Sequence, residues 1–182
     1  MEMVRRLNIR RRMKRILCFL LLATTAVASA DDERVDDHGY VATSWAVLWS
    51  AADAATGLLG LEGAYRPAPK MPLLLRAFVG RGSGADGGED TRTTLYHLRV
   101  GIEADSCTPG RGACVFVGGD AGWRVSETST RGPDAMTSDT SGSLYVGRLG
   151  VDAGGDYLRF RVETELTSDG GGIQLALMHR FY

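Results

Sequence analysis

Apolar and polar side chains alternate along the segment from Tyr157 to Leu166. Its apolar positions are Leu158, Phe160, Val162, Thr164 and Leu166, and its charged positions are Arg159, Arg161, Glu163 and Glu165. A β-strand turns successive side chains to opposite faces. The alternation therefore predicts a strand with one apolar face and one charged face.

Eight strand-like segments follow the first 39 residues and are separated by clusters of Gly, Pro, Asp and Ser. None of them has a sustained apolar period of 3.6 residues, so the chain is predicted to be all-β. The predicted strands are Tyr40–Trp49, Gly57–Arg66, Met71–Arg81, Thr93–Asp105, Ala113–Val125, Ser143–Ala153, Tyr157–Leu166 and Gly172–Phe181. Alternation alone fits either a barrel or a soluble sandwich, because both have one apolar and one polar face.

The polar face of the predicted strands combines arginines with acids and contains no lysine. Its charged and histidine members are Glu62, Arg66, Arg76, His97, Arg99, Glu103, Asp120, Arg124, Arg148, Asp152, Arg159, Arg161, Glu163, Glu165 and Arg180, with Gln174 beside them. Glycines lie between them, at Gly60, Gly101, Gly118, Gly122 and Gly150. An eight-stranded barrel has just enough interior space for side chains, and buried charges need partners. We therefore expect this face to form a charge network inside an eight-stranded antiparallel up-and-down β-barrel.

The apolar face carries aromatic side chains at both ends of the strands. Trp49, Tyr96, Trp123 and Tyr145 fall at one end, and Tyr65, Tyr157 and either Tyr40 or Phe181 fall at the other. Two aromatic girdles are typical of a transmembrane barrel. The links 81–92 and 126–141 are long and polar, whereas those after the second, fourth and sixth strands are compact, as in outer-membrane barrels.

The N-terminal 30 residues have the organisation of a cleaved signal peptide. A basic region beginning at Met13 precedes an apolar run from Ile16 to Ala23, and Ala28-Ser29-Ala30 is a small-residue cleavage site. We divide the chain into a signal peptide (1–30), an acidic leader (31–39) and the barrel (40–182). Removing the signal takes seven of 21 basic residues and one of 22 acids, which leaves a net charge of −7. An acidic chain without a basic patch argues against nucleic acid as a partner.

Two cysteines follow the predicted signal peptide. Cys107 and Cys114 flank a turn-rich stretch, and in an exported protein this spacing predicts a disulfide. No histidine and no Cys-x-x-Cys motif accompany them, so we predict no metal site and no cofactor there.

Ile173, Leu175, Leu177, His179 and Phe181 alternate along the last predicted strand. With the charged interior, the strand count and the unequal links, this pattern resembles the small eight-stranded outer-membrane barrels of the OmpA/OmpX type over residues 40–182. In that family such a terminal strand is an assembly signal, which the resemblance carries to Ile173, Leu175, Leu177 and Phe181. His179 and the extra Tyr182 depart from the pattern. The resemblance implies recognition by the outer-membrane assembly machinery. With the alternation and the terminal aromatic residue, we expect a monomer in the cell outer membrane, in contact with membrane lipid and lipopolysaccharide.

The histidines and one acidic loop are the candidates for chemistry. His97 shares a face with Arg99 and is expected to be an interior hydrogen-bonding residue. Lipid-A deacylases on such barrels place a serine two residues from a histidine, which neither His97 nor His179 has, so we predict no catalytic residues. The acids Asp86, Glu89 and Asp90 have no EF-hand spacing and predict a solvated loop.

These patterns predict a non-enzymatic outer-membrane barrel with a filled interior and functional outer loops, serving envelope integrity, adhesion or partner binding. One alternative is a soluble periplasmic lipocalin-like barrel that binds a small apolar ligand, in which the apolar face would be the interior. The other is a lipid-A-modifying enzyme, whose catalytic triad would be assembled from different strands.

Overall fold

The computed structural model describes residues 38–50, 55–68, 71, 73–85, 91–107, 112–130, 136–168 and 170–181. These residues form eight β-strands. In chain order they are β1 (Gly39–Ser50), β2 (Ala55–Tyr65), β3 (Leu73–Ala85), β4 (Thr91–Asp105), β5 (Ala113–Thr130), β6 (Thr137–Gly154), β7 (Leu158–Thr167) and β8 (Gly170–Phe181). Among the residues that the structure describes, no helix has the length and apolarity needed to cross a membrane.

The eight strands form one closed barrel in sequence order. Each strand pairs antiparallel with the next, and β8 pairs antiparallel with β1, from Gly39 opposite Phe181 to Ser50 opposite Gly170. Closure removes every free sheet edge along this part of the barrel, which a two-sheet sandwich does not do. The prediction of an eight-stranded antiparallel up-and-down barrel is therefore confirmed.

The charged faces of the strands point into the barrel and the apolar faces point outward. On β7, Leu158 and Val162 are 58% and 47% exposed, whereas Arg161 and Glu163 are 0% and 1% exposed. The other strands repeat this division, with a broad apolar outer surface. This arrangement is the reverse of the one that the lipocalin-like alternative requires. Tyr40 is fully buried and Phe181 lies outside, so Phe181 is the member of that pair on the outer surface.

Strands β3, β5 and β6 extend farther than the sequence predicts. The sequence predicts a long link over residues 126–141, but Ser126–Thr130 and Thr137–Ser141 continue the β5–β6 ladder as far as Ser129 opposite Thr137. The expectation of long polar links after the third and fifth strands was therefore wrong, since strand occupies most of those stretches. Both faces of the extended segments are Ser- and Thr-rich, so they have no apolar alternation to reveal a strand.

The two ends of the barrel differ. The terminal end carries Gly39 and Phe181, and the loop end carries Ser50 and Gly170. At the loop end β6 stands taller than β7, because their pairing stops at Val146 opposite Thr167. The predicted signal peptide and most of the predicted leader lie outside the described residues. His38 already bonds to the barrel, since its backbone N–H donates to the carbonyl of Phe181 at 3.0 Å.

Candidate functional site: a filled lumen beneath an open cup

The lumen has two regions that differ in how they are filled. The closed half extends from the terminal end to about the middle of the barrel and is packed with long side chains. The cup is a cavity at the loop end. The closed half is defined by the inward side chains of Tyr40, Glu62, Arg66, Arg76, Glu103, Asp105, Phe116, Asp120, Arg148, Asp152, Arg161, Glu163, Gln174 and Arg180, all of which are buried.

The bottom of the closed half is a carboxylate held between two arginines. Asp105 accepts a hydrogen bond from Arg66 at 3.1 Å and another from Arg180 at 2.5 Å. Beside it a disulfide joins Cys107 to Cys114, with the two Cα atoms 5.0 Å apart. The disulfide that the sequence predicts is therefore present. Both cysteines are buried, so the bridge contributes to sealing the terminal end.

Glu103 and Arg161 form the centre of the closed half. The Arg161 guanidinium donates to both Glu103 carboxylate oxygens, at 2.7 and 2.8 Å. Arg148 and the Tyr40 hydroxyl also donate to Glu103, at 3.0 and 3.1 Å. Arg161 reaches Asp152 on the neighbouring strand at 2.7 Å. Paired, bidentate geometry of this kind is what allows ionised groups to be buried at all.

A second layer lies between the centre and the cup. Arg76 bonds to Glu62 and, at 2.6 Å, to Asp120. Arg148 connects this layer to the centre, since its Nε lies 3.2 Å from Asp120 and its Nη1 lies 3.3 Å from Glu163. Each arginine in this layer therefore contacts more than one carboxylate, which distributes charge over several strands.

Aromatic rings and glycines create the space in which the arginines pack. The Arg161 guanidinium lies 3.7 Å from the centre of the Phe116 ring. Such stacking suits the planar arginine head better than the lysine ammonium. A Cβ added at Gly118 would lie 2.6 Å from Arg148 Nη2, and one at Gly150 would lie 2.6 Å from the Phe116 ring. The strand glycines therefore leave room for long side chains opposite them.

The cup occupies the loop end of the lumen and has a volume of about 420 Å³. Its floor is formed by His97, Arg99, Arg124 and Glu165. Arg99 donates to Glu165 at 2.6 Å and stacks on Phe78, with its guanidinium 3.9 Å from the ring centre. Apolar side chains from several strands form the lower wall, and Ser and Thr side chains form the rim. The wall and rim residues are Leu48, Leu95, Leu144, Val146, Thr56, Thr93, Ser126, Thr140 and Thr167.

The structure places the predicted network residues inside the barrel. Residues that are far apart in sequence lie in the same layer of the lumen. Arg124 is half-buried at the cup, and Arg159 is buried near the terminal end. His97 is buried on the cup floor. It lies directly opposite Arg124 in the register of β4 and β5. With Asp105 added, the lumen holds eight arginines and seven carboxylates, so its charges nearly balance.

Two members of the interior hydrogen-bond network, Asp105 and Tyr40, are missing from the set that the sequence predicts. Asp105 has the same parity on β4 as Glu103, so alternation carried to the end of the strand would have found it. Tyr40 likewise has the parity of Ala42 and Ser44 on β1. Because Tyr40 lies at the start of the strand, its position also fits the aromatic girdle that the sequence predicts at this end. In the structure its hydroxyl also accepts a bond from Arg161 at 2.8 Å.

The remaining predicted positions lie outside the lumen. The proposed assembly-signal residues Ile173, Leu177 and Phe181 are exposed on the outer surface of β8, and Leu175 is half-exposed. His179 is also on that surface, with its Nδ1 at 3.0 Å from the Tyr157 carbonyl. The acids Asp86, Glu89 and Asp90 lie outside the described residues.

One group of potential metal ligands occurs among the described residues. Cys107, Cys114 and Asp152 lie together at the terminal end of the lumen. Both sulfur atoms belong to the disulfide, and the ligand form of cysteine is the thiolate. While the bridge is intact, this group therefore offers a cation only one carboxylate.

Comparison with known proteins identifies the fold. No family model and no curated protein sequence matches the chain. Its structure is similar to the N-terminal barrel domain of Pseudomonas aeruginosa OprF, with a TM-score of 0.52 and 13% identity over 80% of this chain and 99% of that one. It is also similar to Neisserial surface protein A (TM-score 0.56, 11% identity, 80% and 96% covered). A third similar structure is Ail, the attachment invasion locus protein of Yersinia pestis (TM-score 0.53, 10% identity, 81% and 100% covered). The barrel fold implied by the sequence resemblance is confirmed.

Proposed function

We propose that this protein is a monomeric, non-enzymatic barrel of the cell outer membrane, exported by a cleaved signal peptide (1–30). The observation that carries the proposal is the division of its surfaces. The lumen holds the arginines and carboxylates, and the outer wall exposes large apolar side chains on all eight strands. A large exposed apolar surface is unfavourable in water, whereas lipid is its natural solvent.

The aromatic side chains on the outer wall support this placement. Trp49, Trp123 and Tyr145 are exposed toward the loop end, and Tyr65 and Tyr157 are exposed at the terminal end. Amphipathic rings prefer the level of lipid headgroups, so two such bands mark the two faces of a bilayer. We propose contact with membrane lipid and lipopolysaccharide along this wall, with the terminal end facing the periplasm. The outward side chains of β8 would then serve as the assembly signal.

The filled lumen supports a role other than transport of large solutes. The closed half is crossed by ion pairs on several levels, and an eight-stranded barrel has no room for a wide pore beside them. The functional surface that we propose is the loop end, where the polar β5–β6 hairpin extends beyond β7. Adhesion, partner binding and envelope integrity are the roles that such a surface fits.

Membrane fractionation and gel migration test the location. We expect the protein in the outer-membrane fraction, with an unheated sample that migrates differently from a boiled one because the barrel resists the detergent. Recovery in the soluble periplasm, with no migration shift, would refute the proposal.

Spin labels test which surface meets lipid. We expect a label at Val162 to collide with oxygen dissolved in the bilayer and to be protected from a water-soluble nickel chelate. A matched label at Asp139, on the outward face of β6 where that strand extends beyond β7, should show the opposite preference. Equal exposure of both labels to the chelate would favour a soluble barrel.

Mass spectrometry of lipid A tests the absence of enzymatic activity on this lipid. We expect identical lipid A from cells that express the protein and from cells that lack it. A change in acyl chains that depends on His97 would instead establish the lipid-modifying alternative.

A further inference from the structure

The floor of the cup carries more positive than negative charge. Among the residues that line it, Arg99 and Arg124 contribute two positive charges and Glu165 contributes one negative charge. Glu165 engages only Nη1 of Arg99. Nη2 of Arg99 donates no hydrogen bond to any residue that the structure describes, although Arg99 is 1% exposed. A buried guanidinium N–H without an acceptor is costly, so this group favours an anionic partner.

The wall above that floor is apolar. Leu48, Leu95, Leu144 and Val146 point inward from three different strands and line the same cavity as Arg99. Apolar side chains also point inward in the closed half, but there they are packed in a buried cluster, whereas these four line an open cavity. The cavity volume of about 420 Å³ lies within the range of small-molecule pockets. Apolar walls above a cationic floor match a molecule with an apolar body and a single acidic head.

We propose that the cup binds a small carboxylate or sulfonate with an aromatic or short aliphatic body. Its acidic group would accept hydrogen bonds from Arg99 and Arg124, and its apolar body would contact Leu144 and Val146. The Ser and Thr rim stays hydrated at the entrance. This site differs from a lipocalin calyx, because the ligand is held by charge at the floor and fills only the loop half of the lumen. The inference does not depend on the proposed membrane location, since the site lies inside the barrel.

The test uses benzoate as the probe and benzyl alcohol as its uncharged analogue. Methyl NMR of the purified protein in detergent micelles follows Leu144 and Val146 inside the cup. Leu177 and Val162 on the outer wall serve as internal reporters of probe that merely enters the micelle. We expect saturable benzoate shifts at the cup methyls and no matching shifts at the outer methyls. Benzyl alcohol should bind about tenfold more weakly, because it lacks the charge-assisted hydrogen bond.

Two variants test separately the space that the ligand's apolar body needs and the contact that its charge makes. Gly142→Phe should fill the cup and abolish the benzoate shifts, since a Cβ at Gly142 meets nothing within 4 Å and the substitution is sterically tolerated. Gly112→Phe is the matched control, because Gly112 is equally open but lies at the terminal end. Arg124→Gln should weaken benzoate about tenfold and leave benzyl alcohol unchanged.

Several results would overturn the proposal. One is equal affinity for benzoate and benzyl alcohol. Others are benzoate shifts that persist in Gly142→Phe, or shifts of the cup methyls that only parallel those of Leu177. Unchanged gel migration of each variant would show that it is folded, so that loss of binding reports on the cup.

Discussion

The closed half and the cup lie in the same lumen and follow the same alternation of side chains, but they differ in the size of what points inward. In the closed half the inward residues include arginines, acids, the Phe116 ring and buried aliphatic side chains such as Leu74. Around the cup they are mostly Gly, Ser, Thr and Leu, as at Gly84, Thr93 and Leu144. Alternation therefore determines which side chains share the inward face, and the volume of those side chains determines whether the interior is filled.

The two regions also differ in how tightly each charge is held. Glu103 in the closed half accepts hydrogen bonds from Arg161, Arg148 and Tyr40. Glu165 at the cup floor has one short contact, to Arg99. In a dry interior no water can replace a protein partner that a charged group loses. A charged group beside a cavity can exchange a protein partner for water. Substitutions in the closed half should therefore lower the free energy of unfolding, and substitutions around the cup should change it little.

The largest expected effect is the loss of the central carboxylate. Glu103→Gln leaves Arg161 and Arg148 as incompletely compensated buried charges, and we expect a loss of about 3–5 kcal/mol in the free energy of unfolding. The urea midpoint of the folded band on unheated gels measures it. Glu127→Gln, at an exposed outward site on β5, is the control and should change stability by less than about 0.5 kcal/mol. A Glu103→Gln midpoint equal to that of the control would remove the distinction between the two regions.

The disulfide should rank second. Replacing Cys107 and Cys114 together with alanine is expected to cost about 2–3 kcal/mol, because the bridge closes a short loop and its main effect is on the unfolded chain. The same urea titration measures the loss. Adding reductant to the unaltered unfolded protein before refolding should reproduce it, and the double variant should not respond to reductant. A reductant effect on the double variant would point to some other target.

Glycine replacements compare the packing of the two regions directly. A Cβ at Gly118 would approach Arg148 Nη2 to 2.6 Å, so Gly118→Leu should lose about 1–3 kcal/mol through overpacking. Gly142→Leu places the same side chain into the open cup and should change stability by less than about 0.5 kcal/mol. Thermal unfolding followed by circular dichroism measures both. Equal losses would mean that the cup is as densely packed as the closed half.

The smallest effect is expected at the rim of the cup. Thr140→Val removes one hydroxyl from an exposed position on β6, and stability should change by less than about 0.5 kcal/mol. The urea midpoint is again the measurement. A loss above about 1 kcal/mol would show that this hydroxyl is packed and bonded as the closed half is, and the contrast would have to be redrawn.

Local alternation predicted much of this molecule. The eight predicted strands and their antiparallel closure agree with the structure. On β7 the charged side chains all share one face and the apolar side chains share the other, as the alternation predicts. The strand ends were less predictable. Ser126–Thr130 and Thr137–Ser141 are paired strand, but their composition is that of a loop because both faces are polar there.

The sequence by itself determined which side chains share a face, because successive residues of a strand point to opposite sides whatever the strand pairs with. Which charges meet was decided only by the tertiary structure. Arg161 reaches Glu103 across 58 positions of sequence, and that contact depends on barrel closure and on the register of every intervening strand. The same register stacks small residues at one end of the lumen, so the cup exists only once the barrel has closed.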